Sequence, residues 1–146
     1  MDILGQGEKR DELVEYVKSS VKSGELRDGS VRFIGQVPNE KIYDCLRAND
    51  IMLSAPSIDN MPVSVLEAMN AGLLVISSRV GGVPYIIDEG RTGLLFESGN
   101  ADDMAAQMEW ALEHQDECLA MIAAAHEDVK RYSWENIRKQ LLPLYE

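Results

Sequence analysis

Short apolar runs alternate along the chain with stretches in which apolar residues recur every three or four positions. The apolar runs predict buried strands, and the spacing of three to four residues predicts amphipathic helices. Strands that alternate with helices are typical of a parallel sheet with helices on both faces. The pattern therefore predicts a three-layer α/β/α fold with a mostly parallel sheet of about five strands.

The predicted elements run from one end of the 146-residue chain to the other. Strands are predicted at 2–5, 31–35, 51–55, 73–77 and 93–96, and helices at 8–22, 40–48, 63–71, 84–88, 117–131 and 135–142, with one more after Asn100. Gly72 is expected to end a helix, and Asn100 and Ser133 to cap two others. Because there is no linker, repeat or low-complexity segment, we expect one domain over 1–146, with the last helices, about 117–146, packing on its outside.

Charge and cysteine content narrow the partners and the compartment. The net charge of -11 would repel a nucleic-acid backbone, so we expect no nucleic-acid partner. Cys45 and Cys118 lie far apart within helical patterns, which predicts buried thiols in a reducing compartment. With no signal-peptide pattern and no apolar run near the ~18 residues of a bilayer span, we expect a cytoplasmic protein that meets membranes only indirectly.

A polar loop between the third predicted strand and the following helix holds the most informative residues. Asp59 lies in this loop, Glu67 lies eight positions later in the helix, and Pro62 is expected to take the first helical position. The backbone amides of Val63 and Ser64 would then be free at the helix start. Ligands of parallel sheets bind outside the carboxyl ends of the strands, against such amides.

The two acids have two interpretations, which the spacing alone leaves open. A carboxylate has two acceptor oxygens suited to vicinal hydroxyls, so Glu67 fits a ribose or sugar diol and Asp59 fits a second polyol. Alternatively, Asp59 caps its own loop and Glu67 faces water. The first interpretation predicts a carbohydrate or nucleotide site, and the second predicts only a solvated turn.

Gly5-Gln6-Gly7 lies between the first strand and the first helix. Glycines at this position allow a tight turn and let a phosphate or ribose approach the backbone closely. However, Arg10 stands where a dinucleotide fingerprint has its third glycine, and no acid ends the second strand. The motif is therefore an ordinary turn or a weak nicotinamide-cofactor signal.

Gly81-Gly82 follows the fourth predicted strand. Paired glycines can form a concave set of amides that holds an anion. They can equally form a bend into a short helix, and we favour the bend.

Together these motifs resemble those of the C-terminal, donor-nucleotide-binding domain of retaining glycosyltransferases with two Rossmann-like domains, the GT-B architecture (glycosyl transferases group 1, family 4-like). The resemblance rests on the segments DILGQG (2–7), VRFIG (31–35), APS (55–57), EAMNAG (67–72), GGVP (81–84), EGRTGLLF (89–96) and SW (133–134). It implies a Rossmann-like fold over nearly the whole chain.

The resemblance also implies roles for individual residues. Asp59 matches the first of two family acids and is the implied catalytic residue, although many relatives have glutamate there. Glu67 matches the second acid, which holds the ribose diol of the donor nucleotide. Val37 lies in the segment that contacts the nucleobase. The other residues implied to contact the donor are Gly5, Gly7, Asn60, Met61, Pro62, Val63 and Ser64.

The implied reaction is transfer of a sugar from a nucleoside diphosphate to an acceptor hydroxyl with retention, in polysaccharide or glycolipid synthesis, without a metal or cofactor. The relatives have an upstream strand and helix, with an Arg and a Lys for the leaving diphosphate, and an N-terminal acceptor domain as partner. No residue here matches these parts. We therefore expect donor binding without turnover by this chain alone.

The missing strand lies in the relatives between the counterparts of the first and third strands, so its absence leaves a gap that must close or be filled. An unpaired strand edge is a template for another strand. A non-enzymatic interaction module that self-associates or binds a partner through this edge is thus an alternative to the enzyme, and a nicotinamide-dependent enzyme is another.

Overall fold

The structure is a computed structural model, and it describes residues 1–145. Five strands and seven α-helices form within this part of the chain. The strands are β1 (Asp2–Leu4), β2 (Arg32–Gly35), β3 (Ile51–Ser54), β4 (Leu74–Ser78) and β5 (Leu94–Phe96). The helices are α1 (Arg10–Ser23), α2 (Asn39–Arg47), α3 (Val63–Ala71), α4 (Val83–Ile86), α5 (Ala101–Glu113), α6 (Gln115–Asp128) and α7 (Trp134–Leu141), with 3-10 turns at Val129–Tyr132 and Leu142–Leu144.

The chain divides into two compact units, Met1–Ile42 and Tyr43–Glu146, here called the N-terminal and C-terminal units. In the N-terminal unit β1 pairs in parallel with β2, and the register shifts between Ile3 and Leu4. The connection runs through α1, which ends at Gly24 in the left-handed conformation that glycine adopts most readily. This unit is one strand–helix–strand segment.

The C-terminal unit contains a parallel sheet in the order β3-β4-β5. Successive residues of a strand face opposite sides, so the two faces of β4 enter two separate apolar clusters. Val75 packs with buried residues of α3 and α4 in one cluster, whereas Leu74 and Ile76 pack with buried residues of α5 and α6 in the other. Because both faces are covered, all five residues of β4 are buried.

The predicted α/β class, with five parallel strands, is confirmed, but the strands are divided between a two-stranded and a three-stranded sheet. No backbone pairing within residues 1–145 closes the gap expected between β1 and β3. Several element boundaries differ from expectation by one to three residues. Pro62 precedes the first helical residue instead of occupying it, and α6 begins at Gln115 instead of 117. The single-domain organisation stays a prediction.

None of the helices in residues 1–145 is long and apolar enough to cross a bilayer.

Candidate functional site

The loop at 55–62, here called the acid loop, connects the carboxyl end of β3 to α3. Its carboxylate, Asp59, is half-buried, and its Oδ1 accepts a hydrogen bond from the Met61 backbone N–H at 3.0 Å. This local bond is the usual way in which aspartate fixes a turn. Asp59 therefore caps its own loop, as one of the two sequence interpretations had it, and Oδ2 accepts no hydrogen bond from residues 1–145.

The glycine pair after β4 lies directly against the acid loop. The Gly82 N–H donates to the Asp59 carbonyl at 2.9 Å. A Cβ at Gly81 would lie 2.0 Å from the Asp59 carbonyl oxygen, and one at Gly82 would lie 1.7 Å from that of Asn60. Any side chain at these positions would displace the loop backbone. The bend into a short helix is confirmed, since α4 begins at Val83, but the loop contact was not predicted.

A buried serine forms a second contact with the acid loop. The Ser78 hydroxyl, at the end of β4, donates to the Pro56 carbonyl at 2.6 Å, and the Ser98 hydroxyl makes a longer contact of 3.5 Å with the same oxygen. The neighbouring Ser77 is also fully buried, but its hydroxyl has no partner in the described chain. This role of Ser78 could not be predicted from the sequence, because nothing in the sequence shows which of the two adjacent serines would bond the loop.

The start of α3 offers unpaired backbone donors. The N–H of Val65 bonds the Pro62 carbonyl at 3.1 Å, whereas those of Val63 and Ser64 have no acceptor within residues 1–145. Val63 is 61% exposed and Met61 48% exposed, so this helix start is open. Free N–H groups and the positive end of the helix dipole together favour an anion here.

Glu67 lies on the same face of α3 as these free donors. It follows Val63 by four residues and Ser64 by three, which are the spacings of neighbours on a helix surface. Its side chain is half-buried and has no hydrogen bond or ion pair with the described residues. The opposite face of α3 contributes the fully buried side chains Val65, Ala68 and Met69. Packing in the C-terminal unit thus directs Glu67 away from the core.

Three of the predicted site residues, Gly5, Gly7 and Val37, belong to the N-terminal unit. Gly5 has φ +107° and its N–H donates to the Gly35 carbonyl at 2.7 Å, while the Gly7 carbonyl accepts from Arg10 at 3.1 Å where α1 begins. The motif thus forms a turn between β1 and α1, and its role as a donor contact stays a prediction. The remaining predicted residues, Asn60, Met61, Pro62, Val63, Ser64, Glu67 and Asp59, all lie in the C-terminal unit.

The arginine nearest in sequence to the glycine pair is already neutralised by acids. Arg79 follows β4 and forms ion pairs with Glu89 and, at 3.6 Å, with Glu97. The hydrogen bond to Glu89 raises the pKa of Arg79 above its ordinary value. Arg79 lines a cavity of 290 Å³ whose walls include neither Asp59 nor Glu67. Its guanidinium is therefore committed to an ion-pair network on the C-terminal unit.

The fold is a Rossmann-like α/β fold, and the candidate site is an open helix start at the carboxyl end of a parallel sheet. The chain belongs to the family described as "Glycosyl transferases group 1", whose model matches residues 1–128.

Two relatives illustrate the match within this family. A D-inositol 3-phosphate glycosyltransferase of Corynebacterium urealyticum is 32% identical over 116 residues, which is 80% of this chain and 27% of the relative. A phosphatidyl-myo-inositol mannosyltransferase of Mycolicibacterium smegmatis is 32% identical over 146 residues, which is 99% of this chain and 36% of the relative. The chain thus spans between a quarter and two fifths of the length of these relatives.

Solved structures of similar proteins share the fold. The Anabaena protein HepE in complex with UDP superposes with a TM-score of 0.84 at 18% identity, covering 99% of this chain and 40% of HepE. Sucrose-phosphate synthase from Thermosynechococcus elongatus gives 0.80 at 24% identity, over 99% and 37%. The C-terminal domain of LpcC, a group 1 glycosyl transferase from Francisella tularensis, gives 0.75 at 23% identity, over 88% and 66%. These similarities show the GT-B type of Rossmann-like domain.

Proposed function

We propose that this chain is the donor-binding part of a glycosyltransferase that moves a sugar from a nucleoside diphosphate to an acceptor hydroxyl with retention. The observation that carries the proposal is the open start of α3, where the N–H groups of Val63 and Ser64 have no acceptor in the described chain. A phosphate group is one of the anions that such a helix start binds, which suits the diphosphate of the donor. The complexes of HepE with UDP and with UDP-glucose are consistent with this ligand class.

In this proposal Glu67 holds the ribose of the donor. It is the carboxylate on the face of α3 that carries the free donors, and both of its oxygens lack a partner among residues 1–145. An ionised carboxylate accepts hydrogen bonds only, which suits two adjacent hydroxyls. We also propose that Gly5, Gly7 and Val37, which lie in the N-terminal unit, contact the donor, as the family resemblance implies.

Asp59 acts in this proposal on the sugar side of the diphosphate. One of its oxygens fixes the acid loop through Met61, and the other is available for a sugar hydroxyl. Asn60, Met61 and Pro62 would border the sugar together with it. The charge that builds on the departing diphosphate would be stabilised by the amides of α3, without a metal or cofactor.

We further propose that the chain binds donor but does not turn it over alone. The acids that pair with Arg79 leave it unavailable to a diphosphate, and the chain has no group assigned to position an acceptor. The named activities of the relatives, on inositol phosphate and phosphatidyl-inositol, suggest that the complete reaction serves glycolipid or polysaccharide synthesis.

The test is a titration of the chain with UDP-glucose and with UDP, followed by calorimetry and by amide chemical shifts. We expect shifts at Val63 and Ser64, and affinity that EDTA does not change. Glu67→Gln should weaken binding by at least about tenfold, as loss of a charged hydrogen bond does.

Glu109→Gln is the matched control, since it removes one exposed carboxylate from α5 with the same change in net charge. It should bind as the parent does. The proposal is wrong if no common nucleotide sugar produces heat or shifts, or if Glu67→Gln and Glu109→Gln behave alike.

A second candidate function, an interaction module, is favoured by one observation. Strand β3 pairs with β4 on one side, and no strand within residues 1–145 pairs with its other edge. Its sequence, Ile-Met-Leu-Ser, is that of a strand with two apolar faces, and its residues are only half-buried. An open edge of this type can accept a strand from another chain. Light scattering separates the two functions, because the module predicts a dimer or larger species whether or not nucleotide sugar is present.

A further inference from the structure

We infer that the segment 78–82 after β4 sets the conformation of the acid loop, so that Ser78, Gly81 and Gly82 are positioning residues for the sugar end of the donor. This inference rests on the proposed function for its ligand, but its geometry stands on contacts within the C-terminal unit. The segment holds the acid loop at Pro56 and again at Asp59 and Asn60.

The first contact fixes the loop where it leaves the sheet. Ser78 is 1% exposed, and its hydroxyl donates to the part-buried Pro56 carbonyl at 2.6 Å. A carbonyl that loses its donor must find water in its place, or it stays unpaired at a cost in free energy. Removing this hydroxyl therefore allows the loop to move outward until water reaches Pro56.

The second contact fixes the part of the loop that carries the acid. The Gly82 N–H holds the Asp59 carbonyl at 2.9 Å, and the missing side chains of Gly81 and Gly82 leave room for the Asp59 and Asn60 carbonyls. The glycine pair thus contacts the backbone of the loop and stabilises the conformation in which the Asp59 carboxylate accepts from the Met61 N–H.

The predicted effect falls on the sugar and not on the nucleoside. Glu67 is placed by α3, whose side chains Val65, Ala68 and Met69 are buried in the core of the C-terminal unit, whereas the hydrogen bonds from Ser78 and Gly82 go to the acid loop. A looser acid loop should therefore weaken UDP-glucose binding by about three- to tenfold, the equivalent of one hydrogen bond. The affinity for UDP should change less than twofold.

Ser78→Ala and Ser77→Ala form the test pair. Both serines are buried in β4, but only Ser78 bonds the acid loop, because the Ser77 hydroxyl has no partner in the described chain. Hydrogen exchange of the Met61 and Gly82 amides reports the loop directly, without any ligand. Ser78→Ala should speed exchange at both amides and lose UDP-glucose affinity, whereas Ser77→Ala should match the parent in both measurements.

Gly81→Ala and Gly90→Ala form a second pair. Both glycines have positive φ, +49° and +75°, but only a Cβ at Gly81 meets the loop backbone. The strain of a positive φ is common to both variants, so any extra loss of UDP-glucose affinity in Gly81→Ala measures the loop contact. If Gly81→Ala does not fold, the serine pair decides alone.

The outcomes separate this inference from the function on which it rests. If the parent chain binds neither UDP nor UDP-glucose, the proposed function is wrong. Hydrogen exchange at Met61 and Gly82 still shows whether Ser78 fixes the acid loop, because that measurement needs no ligand. Equal exchange rates in Ser78→Ala and Ser77→Ala overturn the inference, as does equal binding of UDP-glucose by these two variants when the parent binds it.

Discussion

The two units share one sequence pattern but differ in how they are stabilised. Among the described residues, every buried apolar side chain lies in the C-terminal unit, between Pro62 and Val129. The N-terminal unit has one buried side chain, Ser20, and its apolar residues such as Phe33 are only half-buried or exposed. Alternation of strands and helices thus predicts elements in both units, but only the C-terminal unit has the packed core that makes elements stable.

Hydrogen exchange should show the largest difference between the units. Amides of the buried central strand β4 should exchange only through global unfolding, whose free energy is typically about 5–15 kcal/mol. Amides of β2, whose strand pairs only with β1, should exchange through local opening at far lower cost. Exchange followed by NMR or mass spectrometry measures both, and equal protection of β2 and β4 would contradict the comparison.

Two isoleucines in strands test the same difference by substitution. Ile76 in β4 is 0% exposed, and Ile34 in β2 is 43% exposed. Ile76→Ala should lower the free energy of unfolding by about 2–5 kcal/mol, since it leaves a cavity, and Ile34→Ala by less than about 1 kcal/mol. Urea unfolding followed by circular dichroism gives both values. Similar losses would mean that the N-terminal unit has a core of its own.

The two units also differ in how their helices are capped, and we expect a smaller effect of this difference on stability. The Asn100 side chain accepts from the Asp103 N–H at 3.1 Å at the start of α5, whereas Lys9 at the start of α1 makes no such bond. Asn100→Ala should cost about 1 kcal/mol, and Lys9→Ala should cost much less. Lys9→Ser is expected to stabilise α1. Thermal unfolding midpoints of the three variants check this order, and a cost for Lys9→Ala as large as that for Asn100→Ala would refute it.

The smallest predicted effect is a dependence of stability on alkaline pH from the core of the C-terminal unit. Burial raises the pKa of the Cys118 thiol, with a further contribution from Glu117, and the thiol contacts the Ala111 carbonyl at 3.5 Å. The unfolded chain loses this proton as the pH passes the ordinary thiol pKa of about 8.5, while the folded chain keeps it. The contribution to stability is therefore complete below that pH and is lost as the pH rises toward the folded pKa.

Cys118→Ala removes this pH dependence. Unfolding measured from pH 7 to pH 10 should show a steeper fall for the parent chain than for the variant. Parallel curves for the two proteins would mean that burial does not hold the proton on Cys118.

The features predicted from sequence are those that depend on neighbouring residues. The bounds of α3, its end at Gly72 with φ +86°, and the caps at Asn100 and Ser133 all agree with the structure. Each depends on apolar spacing or on a cap within a few residues. The division into two sheets was not predicted, because strand pairing depends on segments far apart in the chain.

In the candidate site, too, contacts between residues far apart in the chain were not predicted. The loop, its acid and the open helix start were predicted from residues close together in sequence, and the cap by Asp59 was one of two alternatives. The contacts of Ser78 with Pro56 and of Gly82 with Asp59 were missed, since each joins residues more than 20 positions apart. The ion pairs of Arg79 with Glu89 and Glu97 were also missed, since these partners follow Arg79 by 10 and 18 positions and belong to other segments of the chain.

The Pro56 carbonyl oxygen accepts hydrogen bonds from two hydroxyl groups, that of Ser78 at the end of β4 and that of Ser98 two residues after β5. A single oxygen thereby joins the exits of three consecutive strands. Anyone who evolves this protein toward a new specificity should randomise the three exits as a coupled set. A library that varies only the acid loop, with Ser78 and Ser98 unchanged, will miss variants in which the loop and one of these serines must change together.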